Sequence, residues 1–141
     1  MGFWTSNKLT IKGSKKAIKQ ILSRPGRDFF SFQNTVAYSQ KIKKELKLTQ
    51  SDWSKITKWQ EKNWGSTDAC DTKITWITDT CVEIEFLTKG LHPDKWFEKT
   101  VTRYACLDFK IEWSYEDMFE GYSIGSNGNV TIKEEYPSPD Y

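Results

Sequence analysis

Four carboxylates sit at alternating positions in two apolar-patterned stretches: Glu83 and Glu85 in TCVEIEFLT, Asp108 and Glu112 in LDFKIEWSY. Residues two apart on a strand share a face, and oxygen ligands gathered on one face are what a divalent cation needs. Lys8, Lys12, Lys73 and Lys110 fall at the same kind of outward position, however. The face therefore reads more simply as cross-strand charge pairs. A second group is cationic: Lys41, Lys43, Lys44 and Lys47, then Lys55, Lys58 and Lys62. Lysines in rows can track the phosphates of a nucleic acid, although a charge run is more often a face turned to water. Nucleophilic chemistry has little to work with. The one histidine, His92, precedes Pro93 in GLHPDKW, has no nucleophile beside it and reads as part of a helix start. Three cysteines without CxxC spacing argue against a disulfide framework and a structural zinc site. Cys81 and Cys106 read as small buried hydrophobes. No cofactor motif, catalytic residue or metal site is expected, and neither is an enzyme.

The distribution of charge says more than its sum of +2. Residues 1–64 hold 14 Lys and Arg against 4 Asp and Glu, a net of +10; residues 65–141 hold 7 against 15, a net of −8. Either the basic half meets an external polyanion or the halves neutralise each other within one fold. With 141 residues, 37% hydrophobic, the chain is sized and composed for one globular domain. Seven Trp, six Tyr and eight Phe supply a bulky core, with some left for a binding surface. No apolar run approaches the ~20 residues needed to cross a bilayer. The first residues carry no signal-peptide pattern, and Gly2 with Ser6 is only a weak acylation match, so a cytoplasmic protein is expected.

The elements that would position these groups follow from periodicity. NKLTIKG (7–13) alternates as a half-buried strand, and SKKAIKQIL carries a helical stripe of Ala17, Ile18, Ile21 and Leu22 that Arg24-Pro25-Gly26 stops. RDFFSFQNTVAY reads as a short strand or ordered loop with Phe29, Phe30 and Phe32 under a sheet. YSQKIKKELK and TQSDWSKITKWQEKNW read as consecutive helices. Thr49 or Ser51 caps the second; Trp53, Ile56, Thr57 and Trp59 or Gln60, with Trp64, make an approximate apolar stripe, and Lys55, Lys58 and Lys62 lie on a different face. TKITWI and TCVEIEFLT form a hairpin, HPDKWFEKTVTRYA a helix opened by Pro93 and Asp94, and LDFKIEWSY a strand. GYSIGSNGNVTIKEEY is a second hairpin turned by Asn127-Gly128. Between helices and hairpin lies EKNWGSTDAC. Gly65 there supplies the positive φ that ends a helix, and Ser66, Thr67 and Asp68 cap loose backbone groups. A phosphate loop would need more glycines and a Lys-Ser/Thr at fixed spacing, so this stretch is a joint.

That order matches a ferredoxin-like antiparallel sheet, β-α-β-β-α-β, with a central helical insertion at about 27–64 and a C-terminal β-hairpin. A single domain is expected over 1–135, with a flexible tail at 136–141. The first strand should lie between the third and the last, setting a basic strand between two acidic ones. The open face shows charges and no Gly-Phe-x-Phe run, a poor platform for stacking RNA bases.

The opening NKLTIKG strand, NWGS before the hairpin, the hairpin-helix-strand after it and MFEGYSIGSNGNV near the end resemble the YubB ferredoxin-like domain family, proteins found on plasmids and phages. The resemblance implies a ferredoxin-like fold and brings no catalytic residues. It implies a phage or mobile-element protein that binds and blocks a host protein, such as an antiviral defence component. Partner contacts would come from Lys41, Lys44, Lys47, Lys55, Lys58, Lys62, Glu83, Glu85, Asp108 and Glu112. The alternative is nucleic-acid binding through the lysine-rich helices.

Overall fold

The computed structural model describes residues 3–22, 26–48, 50, 52–116 and 118–139. Strand β1 (Trp4–Lys12) leads into helix α1 (Lys15–Ile21), which Ser14 caps through the Ala17 amide. A short 3-10 turn (Phe32–Asn34) precedes α2 (Gln40–Lys47) and α3 (Trp53–Asn63). Then come β2 (Cys70–Thr78), β3 (Cys81–Lys89), α4 (Asp94–Arg103), β4 (Asp108–Tyr115), β5 (Phe119–Ser126) and β6 (Asn129–Pro137).

The strands form one antiparallel sheet in the order β2-β3-β1-β4-β5-β6. As expected, β1 lies between β3 and β4, and a C-terminal hairpin is present. The expected ferredoxin-like β-α-β-β-α-β arrangement is not. Among the described residues the chain instead makes a six-stranded sheet with four helices, three of them between β1 and β2. The physical reason is burial. Residues 27–64 are not an insertion hung on a finished core, because Phe30, Phe32 and Trp64 belong to that core. Nor is the last hairpin an appendage: β5 pairs with β4 from Phe109 to Tyr115.

Strand parity sets the two faces. Leu9, Ile11, Val82, Ile84, Phe86, Phe109 and Ile111 point to one side, where Ile18, Ile21, Trp96, Phe97 and Val101 of α1 and α4 cover them. The other side carries no helix among the described residues. Close helix-to-sheet approach at the far strands depends on glycine. A Cβ on Gly125 would lie 2.5 Å from Val101, and one on Gly121 would meet the Trp113 ring at 2.6 Å. Asn127 and Gly128 have φ of 54° and 81°, as a type I′ hairpin turn requires.

The joint behaves as read from sequence. The Gly65 N–H donates to the carbonyls of Gln60 and Glu61, and its φ is +90°. Asp52 caps α3 by accepting from the Ser54 amide; Thr49 and Ser51 lie outside the described residues, as do Gly2, Arg24, Pro25, Asp140 and Tyr141. Three side-chain expectations fail, at Trp53, at Cys106 and at Cys81, which is half-buried rather than buried. Trp53 is 67% exposed and holds nothing to the core: it lies on the Ile56 side of α3 but stands on the first turn, at the exposed end of the helix. Cys106 is exposed rather than buried, because it falls in the turn before β4 and not within the strand. β6 continues through Tyr136 and Pro137, and Ser138 is buried, so the first residues of the expected tail are part of the fold.

Candidate functional site

The uncovered sheet face carries a ladder of charges. Lys8 lies opposite Glu85 on one side and Glu112 on the other, and Lys73 lies opposite Glu85. The Lys8 ammonium is 3.6 Å from Glu83, and Lys110 is 3.6 Å from Glu112. Asp108 accepts from the Ser126 hydroxyl at 2.7 Å. Each of the four carboxylates therefore has a cationic or hydroxyl neighbour, and among the described residues no group of three or more His, Cys, Asp or Glu is arranged to hold a metal ion. Such exposed pairs each contribute only about 0–1 kcal/mol. Their larger effect is to neutralise the face locally.

The same face is concave, enclosing about 810 Å³ against Lys8, Glu85, Leu87, Glu120, Tyr122 and Tyr136. One end of the sheet is different in chemistry. The Phe3 carbonyl accepts from the Gly90 amide, and the Phe3 ring meets Tyr115 edge-on at 5.8 Å. Trp4 lies opposite Lys89 and donates its backbone N–H to Glu116. Phe119 lies opposite Tyr115 and Pro137, and Tyr136 opposite Glu120. These registers gather Phe3, Trp4, Leu91, Phe119 and Tyr136 at a single end of the sheet, each between 40% and 57% exposed. Phe3, Trp4 and Phe119 escape a reading that begins the first strand at Asn7 and the last hairpin at Gly121, and Tyr136 closes that hairpin with no sign of what lies beside it. Carrying the alternation back to Trp4 would have placed that indole beside Ser6 and Lys8, on the open face.

The lysine-rich helices lie elsewhere. Lys41, Lys44 and Lys47 are exposed on α2, and Lys55, Lys58 and Lys62 on α3. The expected contact residues thus form two separate groups: six lysines on the helices, and Glu83, Glu85, Asp108 and Glu112 on the sheet.

His92 sits beneath the other face. Its backbone carbonyl accepts from the Asp94 amide where α4 begins, and its ring stacks on Trp113 at 4.1 Å with planes 2° apart. A cavity of about 280 Å³ opens beside this stack. Burial pushes the imidazole below its ordinary 6.5; Asp94 and Glu135 pull it back up, while Lys133 adds to the lowering. The unfolded chain thus takes up a proton more readily than the folded one, so stability is complete above 6.5 and falls as pH drops below it. We expect the thermal midpoint to decline through that window and His92→Phe, which keeps the stack, to flatten the decline. An unchanged slope would place the acid sensitivity elsewhere.

No family model matches the sequence, and no curated protein matches it. Among solved structures, the crystal structure of a protein api92 from Yersinia pseudotuberculosis, of the family DUF1281, is similar. The match has a TM-score of 0.61 at 6% identity and covers 100% of both chains. At that identity the likeness is one of fold.

Proposed function

We propose that this chain is a non-enzymatic binding protein that docks on another protein through the aromatic end of its open sheet. The observation that carries the reading is the collection of Phe3, Trp4, Leu91, Phe119 and Tyr136 at one end of the sheet, all exposed, with Tyr136 also lining the concave face. Exposed aromatics gathered at one end of a fold cost solvation and mark interaction surfaces, where Trp and Tyr are the commonest anchors. The neutralised ladder beside them suits a polar rim, which sets specificity and encounter rate more than affinity. The resemblance to plasmid and phage proteins points to a host protein as the partner, with an antiviral defence component as an example. It likewise points to the cytoplasm of the host cell as the place of action. No helix among the described residues is long and apolar enough to cross a membrane.

The test is capture from bacterial lysate on the immobilised protein, beside a Trp4→Ala/Phe119→Ala/Tyr136→Ala variant. A protein enriched by the wild type and lost from a variant with an unchanged melting midpoint supports the reading. Equal capture by both, or enrichment of nothing above bare resin, sinks it.

A further inference from the structure

Strand β6 closes the sheet on one side, and among the described residues no strand lies beyond it. The phase of its hydrogen bonds follows from its last link to β5, where the Ser138 amide donates to the Met118 carbonyl at 3.0 Å. Opposite residues in an antiparallel pair alternate between those that exchange backbone bonds and those that do not. The register therefore turns the N–H and C=O groups of Ile132, Glu134 and Tyr136 towards Ile124, Tyr122 and Glu120. Those of Lys133 and Glu135 point away from the sheet. Pro137, with no N–H to offer, stands at an outward position, as an edge strand allows. Open edges are commonly blunted by irregularity or by charge. β2, the opposite edge, shows irregularity: its register shifts near both ends, and Asp71 has φ of 51°. β6 runs without a shift from Ile132 to Pro137. It carries charge instead, and its two outward-bonding residues, Lys133 and Glu135, have opposite signs.

Side chains on β6 divide by parity. Tyr136 lines the concave open face, and Ile132 points the same way; they are 45% and 39% exposed. Lys133 faces the helix side, where its ammonium pairs with Glu98 of α4. Glu135 lies on that side too and has no ion pair among the described residues.

We propose that β6 pairs antiparallel with β6 of a second copy of this chain, about a two-fold axis through Glu134, so that two sheets become one. That axis sets Lys133 opposite the partner's Glu135, and Glu135 opposite the partner's Lys133. Both residues carry outward backbone groups, so each pair exchanges N–H···O bonds as well as matching charge. On the open face Ile132 meets the partner's Tyr136, which covers the two exposed apolar side chains of the strand. Glu134 alone meets its like, exposed to water that screens the repulsion. A second copy suits this edge because the strand is its own complement: outward from Glu134, plus meets minus and apolar meets apolar, as an isologous interface requires. Phe3, Trp4, Leu91 and Phe119 lie off β6, so the dimer and the docking surface proposed above stand or fall separately.

The experiment is sedimentation velocity of the full chain over a concentration series, with hydrogen exchange at the low and high ends. A reversible dimer is expected. The amides of Lys133 and Glu135 should become protected as it forms, while that of Glu134, already turned to β5, changes little. Lys133→Glu and Glu135→Lys should each weaken dimerisation about tenfold, because two cross-strand pairs turn from attractive to repulsive. Mixed in equal amounts, the two variants should form a heterodimer as tight as the wild-type dimer. Glu134→Gln should tighten the dimer. Melting midpoints control for folding, since Lys133→Glu also confronts Glu98, whereas Glu135→Lys breaks no ion pair. A Trp4→Ala/Phe119→Ala variant should dimerise as the wild type does. A chain that stays monomeric at every concentration overturns the proposal. So does a dimer whose Lys133 and Glu135 amides still exchange freely, or a mixture of the charge variants that fails to recover dimerisation. Loss of the dimer in Trp4→Ala/Phe119→Ala would place the contact at the aromatic end and overturn it as well.

Discussion

Replacing Trp64 by Ala should lower the free energy of unfolding by about 3–5 kcal/mol. The side chain is 0% exposed, and its indole N–H donates to the Val36 carbonyl at 2.9 Å. Its rings meet Phe32, Tyr38 and Trp59 at centroid distances of 5.7, 5.1 and 5.2 Å. Its own carbonyl accepts from the Trp96 amide in the first turn of α4. Truncation removes a large buried side chain from this corner, leaves a cavity between α3 and the 3-10 turn, and strips the Val36 carbonyl of its donor. A domain stable by roughly 5–15 kcal/mol would lose much of its margin. Urea titration gives the number directly. Trp64→Phe, which refills the space without the hydrogen bond, should lose clearly less than Ala. Trp53→Ala, on the neighbouring helix α3, should fall within about 0.5 kcal/mol of the wild type. Similar losses at 53 and 64 would contradict this packing.

The second large loss is expected at Asp68. One carboxylate oxygen accepts from the amides of Phe32 and Ala69, each at 2.8 Å, and the other from the Ser31 hydroxyl at 2.7 Å. This side chain fastens the joint to the turn that carries Phe32 into the core. Hydrogen bonds to a charged group contribute about 1.5–3 kcal/mol each but do not add when they share one anchor, so Asp68→Ala should cost about 3 kcal/mol. Asp68→Asn keeps one acceptor and should cost less. Hydrogen exchange at the Phe32 amide supplies the specific readout. In Asp68→Ala that amide should exchange far faster, while Ile11 and Ile84 in the central strands change only with global stability. Unaltered protection at Phe32 would assign the stability loss to another cause.

The strands were legible because their alternation is strict and one face is buried, which fixes register down to Lys8 between Glu85 and Glu112. The joint was legible because Gly65 has few other uses after a helical run. What the sequence hid was the placement of the central segment. Asp68 reads as a local turn residue, yet its partners Ser31 and Phe32 lie far back in the chain, and no periodicity encodes that pairing. Trp53 and Trp64 look alike in a helical stripe. Only their surroundings separate core from surface: Trp64 packs on Tyr38 and Phe32, while Trp53 faces water. The aromatic end was missed for a boundary reason. Strand ends are where alternation gives out, and Trp4, Phe119 and Tyr136 all lie at strand ends.

Placing β1 in the middle of the sheet also governs the order in which the molecule can assemble. β4, β5 and β6 follow one another through short turns and can zip as they appear, and β2 with β3 can do the same. β1 has no neighbour nearby in the chain: Lys8 finds Glu85 and Glu112 only after the intervening helices have been made. Closing loops of that length is what slows folding of high-contact-order proteins. Until then, the strand with Leu9 and Ile11 waits with both backbone edges open, the kind of segment that recruits other chains. Its lysines, Lys8 and Lys12, then act as guards: like charges on two waiting copies repel, and the same groups find Glu85, Glu112 and Asp108 opposite them once the sheet closes.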